Sequence, residues 1–132
     1  MPLVDSNIFL DLITDDPDWA RWSERQLAVG LQRGDLVIND VIYAELSVRF
    51  DTPARLDEML ADFRVAHSAM PRQALFQAGK SYRRYRAIGG TKTGVLPDFF
   101  IGAHAMVAGL PLLTRDARRY RTYFPEVALI TP

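Results

Sequence analysis

The chain has 132 residues, 48% of them apolar, no cysteine, and sixteen acidic side chains balanced by sixteen lysines and arginines. Such a length and apolar content predict one folded domain over residues 1–132 and exclude a disordered chain. Without thiols there are no disulfides, thiolate zinc sites or cysteine nucleophiles, so a metal would need oxygen ligands or the two histidines, His67 and His104.

Leu3 and Val4 lead straight into Asp5, which reads as a strand followed by a helix from about Asn7 to Thr14. The stretch DDPDW opens a second helix that runs through Leu31 and stops at Gly34. LVIN, Leu36 to Asn39, is a second strand, after which Asp40 is expected to cap a helix reaching Phe50. Thr52 and Pro53 open another helix to about Phe63, and Arg64 to Ser68 suggest a short strand. From Pro71 a long helix sets Leu75, Ala78, Tyr82 and Tyr85 on one apolar stripe. GGTKTG, residues 89–94, is a flexible loop, and Pro97 with Asp98 starts an almost wholly apolar helix. Its run from Phe99 to Leu110 is broken by His104 and is too short to span a bilayer. With no basic leader before MPLVD, the protein reads as cytoplasmic. Leu112 to Thr114 and Val127 to Ile130 are the last strands. Strands alternating with helices predict an α/β fold, a three-layer α/β/α sandwich around a mostly parallel sheet.

The neutral total hides a charge gradient. Residues 1–62 hold thirteen acids and five bases, whereas residues 63–97 hold seven bases and no acid. A basic middle third points to nucleic acid, although a solvated helix face carries the same pattern.

In an open parallel sheet the strands deliver their carboxyl ends to one edge, where ligands bind. Asp5 and Asp116 each follow a strand, Asp98 begins a helix, and Glu45 interrupts the apolar series Val41, Ile42, Ala44, Leu46 and Val48. Taken singly, the three aspartates could cap helices and Glu45 could face solvent. Taken together, four acids at one edge repel one another unless a cation lies among them. Oxygen ligands suit Mg²⁺ or Mn²⁺, and the matching chemistry is phosphodiester hydrolysis by an activated water. His104, on an apolar helix, reads better as a hydrogen-bonded core residue than as a ligand.

VDSN at the start, a glutamate in the helix after the second strand, LPDFFIGAHA, and LLTRDARRY together resemble the PIN domain over essentially the whole chain. More narrowly, the size and the last third are similar to the VapC-type toxins of bacterial and archaeal toxin–antitoxin operons. The resemblance implies a metal-dependent endoribonuclease whose metal-binding and catalytic acids are Asp5, Glu45, Asp98 and Asp116, with Asn7 and Thr114 lining the site. It also implies a homodimer and a cognate antitoxin that blocks the site. Arg115 reads equally as a phosphate contact or a surface arginine. Lys80, Arg83, Arg84, Arg86 and Lys92 are the expected RNA-backbone contacts. Two other readings compete: a non-catalytic RNA- or protein-binding module on this fold, and an aspartyl-phosphate phosphatase. The second would want an aspartate where Asn7 stands.

Overall fold

The computed structural model of the chain describes residues 1–92 and 94–132, so Thr93 of the GGTKTG loop lies outside the described residues. The elements in chain order are β1 (Leu3–Val4), α1 (Ser6–Ile13), α2 (Ala20–Arg33), β2 (Val37–Ile38), α3 (Asp40–Ser47) and α4 (Pro53–Asp62). They continue as β3 (Ala66–His67), α5 (Arg72–Ala87), α6 (Leu96–Ala108), β4 (Leu112–Leu113), α7 (Arg118–Tyr123) and β5 (Leu129–Ile130). All strand pairs are parallel, in the order β3-β2-β1-β4-β5, with Leu3 opposite Val37 on one side and Leu112 on the other. The architecture is the expected three-layer sandwich. Leu3, Val4, Val37, Ile38, Leu112 and Leu113 are all buried, as a sheet covered on both faces requires.

From β1 the chain builds outward through β2 to β3, then crosses back to lay β4 and β5 on the far side. The order therefore reverses between β1 and β4, which opens a crevice at their carboxyl ends. Asp5, directly after β1, donates its backbone N–H to Leu113 O at 2.9 Å and so stays tied to β4.

Helix boundaries follow local chemistry. Asp16 accepts from the N–H groups of Asp18 and Trp19, both at 2.9 Å, ahead of α2, and Gly34 ends that helix in the left-handed region at φ 66°. Thr52 caps α4 by accepting from Arg55 N at 3.3 Å, with Pro53 in its first turn. The cap of α3 is Asn39, not the expected Asp40. Asn39 has extended backbone and accepts from Ile42 N at 2.9 Å, while Asp40 is already helical. The helix also stops at Ser47, short of Phe50.

In α5 the buried stripe is turned by one residue from the expected one. Ala74, Ala78 and Ser81 are buried and Leu75 is 43% exposed, because small side chains allow α5 to lie close along α6. Tyr82 and Tyr85 keep their inward positions, with ring centres 5.6 and 5.5 Å from Phe99. Close approach also explains Gly102 on α6, where a Cβ would meet the Phe124 ring at 2.3 Å. Helix α7 has no counterpart in the expected elements; its single buried residue, Tyr120, gives no stripe to read. Among the described residues, no helix is long and apolar enough to cross a membrane.

Candidate functional site

Asp5 occupies the N-cap position of α1, yet its carboxylate makes no capping hydrogen bond. Its Oδ2 instead accepts from Thr114 Oγ1 at 2.8 Å, Tyr120 OH at 3.0 Å and Asn7 Nδ2 at 3.4 Å. Thr114 comes from the end of β4, Tyr120 from α7 and Asn7 from α1, so three elements fix one oxygen. Asn7 completes a bracket across the crevice: its Nδ2 lies 3.3 Å from Thr114 Oγ1, and its Oδ1 accepts from Arg115 N at 3.2 Å. Thr114 Oγ1 also accepts from Asp116 N at 3.1 Å, which sets the turn that presents the exposed Asp116.

The other two acids arrive on helices. Glu45, part-buried on α3, accepts from Ser6 Oγ at 3.1 Å. Asp98 stands in the first turn of α6 without being its cap, and pairs through Oδ2 with Arg119 Nη1 from α7.

The four form one electrostatic group. Burial pushes Asp5 up to about 6, opposed by the Thr114 hydrogen bond and assisted by repulsion from Asp98. Glu45 is pushed up to about 7, first by burial and then by repulsion from Asp5, with Asp98 adding to it. Asp98 is raised by burial against the pull of Arg119, and Asp116 repels it as well. Tyr120, buried against Asp5, Asp98 and Glu45, is raised well above its ordinary value and remains a neutral donor. Among the described residues, no three acids or histidines are gathered tightly enough to ligate one ion as they stand.

Both histidines lie apart from this group. His104 is buried, with Nδ1 3.0 Å from Asn39 Nδ2, and burial lowers its pKa. Since Asn39 donates there, Nδ1 is an acceptor and the ring is neutral. His67 is exposed on the edge strand β3 and pairs with Asp40. Arg115 turns away from Asp116. Its Nε and Nη2 hold the buried Asp11 at 3.0 and 2.9 Å, Ser23 Oγ joins at 2.7 Å, and Trp19 lies under the guanidinium at 5.9 Å.

Residues 3–125 match the PIN domain family. The chain belongs to that family. Its fold resembles VapBC2 of Rickettsia felis, solved with a promoter DNA fragment, at TM-score 0.73 and 18% identity over 98% of this chain and 97% of that one. VapBC-1 of nontypeable Haemophilus influenzae gives TM-score 0.71 and 20% identity over 98% and 96%, respectively. DNA-bound VapBC of Salmonella typhimurium gives 0.68 and 19% over 99% and 98%. No curated protein matches the chain in sequence.

In this PIN domain, Asp116 borders a cleft of about 540 Å³ lined also by Tyr85, Lys92, Arg118, Arg119 and Tyr123. Of the basic residues expected to meet RNA, Lys92 lines that cleft and Arg84 lies 5.7 Å from the Tyr123 ring in its wall. Lys80, Arg83 and Arg86 are exposed on α5 and do not line it, and Lys80 lies over Phe76 at 5.2 Å. Sequence reasoning missed Ser6, Tyr120, Arg118 and Arg119. Arg118 and Arg119 were visible only as part of the basic run ARRYRTYF after Asp116, and neither Ser6 nor Tyr120 carried a local signal.

Proposed function

We propose that this PIN domain is a divalent-metal-dependent endoribonuclease that hydrolyses RNA phosphodiester bonds and serves as the toxin of a VapC-type toxin–antitoxin pair. The observation that supports this reading is that Asp5, Glu45, Asp98 and Asp116, from four separate parts of the chain, are linked by pairwise repulsion, with Asp5 and Asp116 following the two strands between which the order reverses. Their donor set is all carboxylate oxygen, which fits Mg²⁺ or Mn²⁺. Asp5 and Glu45 are raised first by burial and further by repulsion from neighbouring acids, and it is that repulsion that such a cation relieves. When bound, the cation supplies water activation and neutralises charge developing on the phosphate.

The chain's own residues do the positioning. Thr114 and Tyr120 hold Asp5 Oδ2, Ser6 orients Glu45, and Asn7 braces the two strand ends. Lys92 and Arg118 offer positive charge to the substrate backbone from the adjoining cleft. The VapBC complexes that the fold resembles support an antitoxin partner. A homodimer, a cytoplasmic setting and a single domain over residues 1–132 belong to the same proposal and rest on the family resemblance and on length.

Purified protein freed of antitoxin is expected to cleave RNA with Mg²⁺ or Mn²⁺ and to be inactive in EDTA, and Asp5→Asn is expected to abolish cleavage. Full activity of that variant, or cleavage in EDTA, contradicts the mechanism. Metal-independent RNA binding without cleavage would favour the non-catalytic module. Phosphate release from monoesters would favour the phosphatase.

A further inference from the structure

Arg119 belongs to two places at once. Its guanidinium pairs with Asp98, and the same residue lines the 540 Å³ cleft beside Asp116. There the Tyr85 ring lies 5.9 Å from the guanidinium carbon. Among the described residues, this is the one lysine or arginine salt bridge to any of the four clustered acids. It is also a pair that can open, since Arg119 and Asp98 are 22% and 29% exposed. Arg115, by contrast, is held on an Asp11 that is only 2% exposed.

A single guanidinium offsets one negative charge among four and ligates nothing else in the group. A dication bound by the acids would need Asp98's oxygens, and at close range its double charge outcompetes the guanidinium. Once displaced, Arg119 is still carried by α7, beside Lys92 and Arg118 and against an aromatic face. A planar guanidinium there matches a phosphodiester, and the tyrosines of the wall suit an unstacked base.

We propose that Arg119 is an exchangeable counter-ion: it occupies Asp98 in the cation-free protein, yields it to a divalent cation, and turns into the adjoining cleft to bind the phosphodiester backbone of single-stranded RNA. The proposal rests on the reading of the four acids as a cation site. Its consequence is thermodynamic coupling, in which cation and RNA each tighten the other's binding through this one side chain.

Two readouts on the full chain test it: Mn²⁺ binding by calorimetry, and binding of a labelled, cleavage-resistant oligoribonucleotide in Mn²⁺ and in EDTA. Arg119→Met removes the competing charge, so Mn²⁺ should bind about fivefold more tightly than to the wild type. Wild-type protein should bind the oligoribonucleotide about fivefold more tightly in Mn²⁺ than in EDTA, and the variant should lose that gain. Arg119→Lys, which keeps the charge and the stem, should fall between the two and guards against a Met variant that fails to fold. Mn²⁺ affinity unchanged or weakened in both variants overturns the exchange, as does an RNA deficit of equal size in Mn²⁺ and in EDTA. If the wild type binds Mn²⁺ and cleaves RNA while the variants match it, only the exchange falls. If the wild type binds no Mn²⁺, the cation site falls and takes the exchange with it.

Discussion

At the level of single residues, Asp5 shows how a buried acid is tolerated. It is 4% exposed, and the Thr114 and Tyr120 hydroxyls oppose the burial that raises it to about 6. Tyr120→Phe removes one of these donors, and urea unfolding in EDTA at pH 8 should show a loss of about 1–3 kcal/mol. The loss should shrink at pH 5, where Asp5 is protonated. The wider pH dependence has a definite sign. Asp5 and Glu45 have folded values of about 6 and 7 against ordinary values of 3.8 and 4.5, so the folded state holds protons that the unfolded state has released. Their stability contribution is present in full below pH 4 and is lost as pH rises towards 7; for Asp5 alone the ceiling is roughly 3 kcal/mol. Melts in EDTA from pH 5 to 8 should therefore show a falling melting temperature, and Glu45→Gln should flatten the fall. The positions of the four acids could be read from the sequence because Asp5 and Asp116 follow apolar strands, Asp98 opens an apolar helix and Glu45 interrupts an apolar series. Those of Ser6 and Tyr120 could not, since a hydroxyl aimed at a carboxylate leaves no mark in periodicity or charge.

Among the elements, α7 supplies most of the cleft lining and α5 adds Tyr85, while Phe99 of α6 packs against Tyr85 and Tyr123. Gly102 lets Phe124 lie against α6, so Gly102→Ala should cost about 1–3 kcal/mol in chemical denaturation, with no change in metal affinity. The stripe on α5 was expected one residue out of phase because Leu75 outweighs Ala74 in hydropathy, whereas the α6 contact rewards the smaller side chain. In α7, six residues carry three arginines and one buried tyrosine, a pattern that reads as surface charge until the fold sets it beside Asp116. The location of this helix beside Lys92 gives the proposed RNA path through the cleft a direct test. Lys92→Gln combined with Arg118→Gln should lower the log–log salt slope of RNA binding by about 1.4, at roughly 0.7 per phosphate contact on a single strand. Changing Arg83 and Arg86, which lie outside the cleft, should move it less. A larger effect from the α5 pair would return the RNA path to that helix.

For the molecule as a whole, alternating apolar strands and amphipathic helices were enough to foresee a parallel sheet between helical layers. They were not enough to give the strand order, because nothing local tells the chain to return past β1 after β3. That return creates the crevice, and with it the gathering of acids that lie as far as 111 positions apart, from Asp5 to Asp116. The central claim is that these acids act together to hold a divalent cation. Glu45 tests it most directly, since its hydrogen bond comes from a neutral serine and no lysine or arginine among the described residues forms a salt bridge with it. The measurement is a pair of melts at pH 8, in EDTA and in Mg²⁺, for the wild type and for Glu45→Gln. In EDTA the variant has one fewer repelling charge and should melt at or above the wild type. With a dissociation constant on the order of 1 mM, about 10 mM Mg²⁺ should add roughly 1.4 kcal/mol to the wild type, a rise of several degrees, and little to the variant. Equal rises in both proteins, or a variant that melts well below the wild type in EDTA, would contradict a shared cation site.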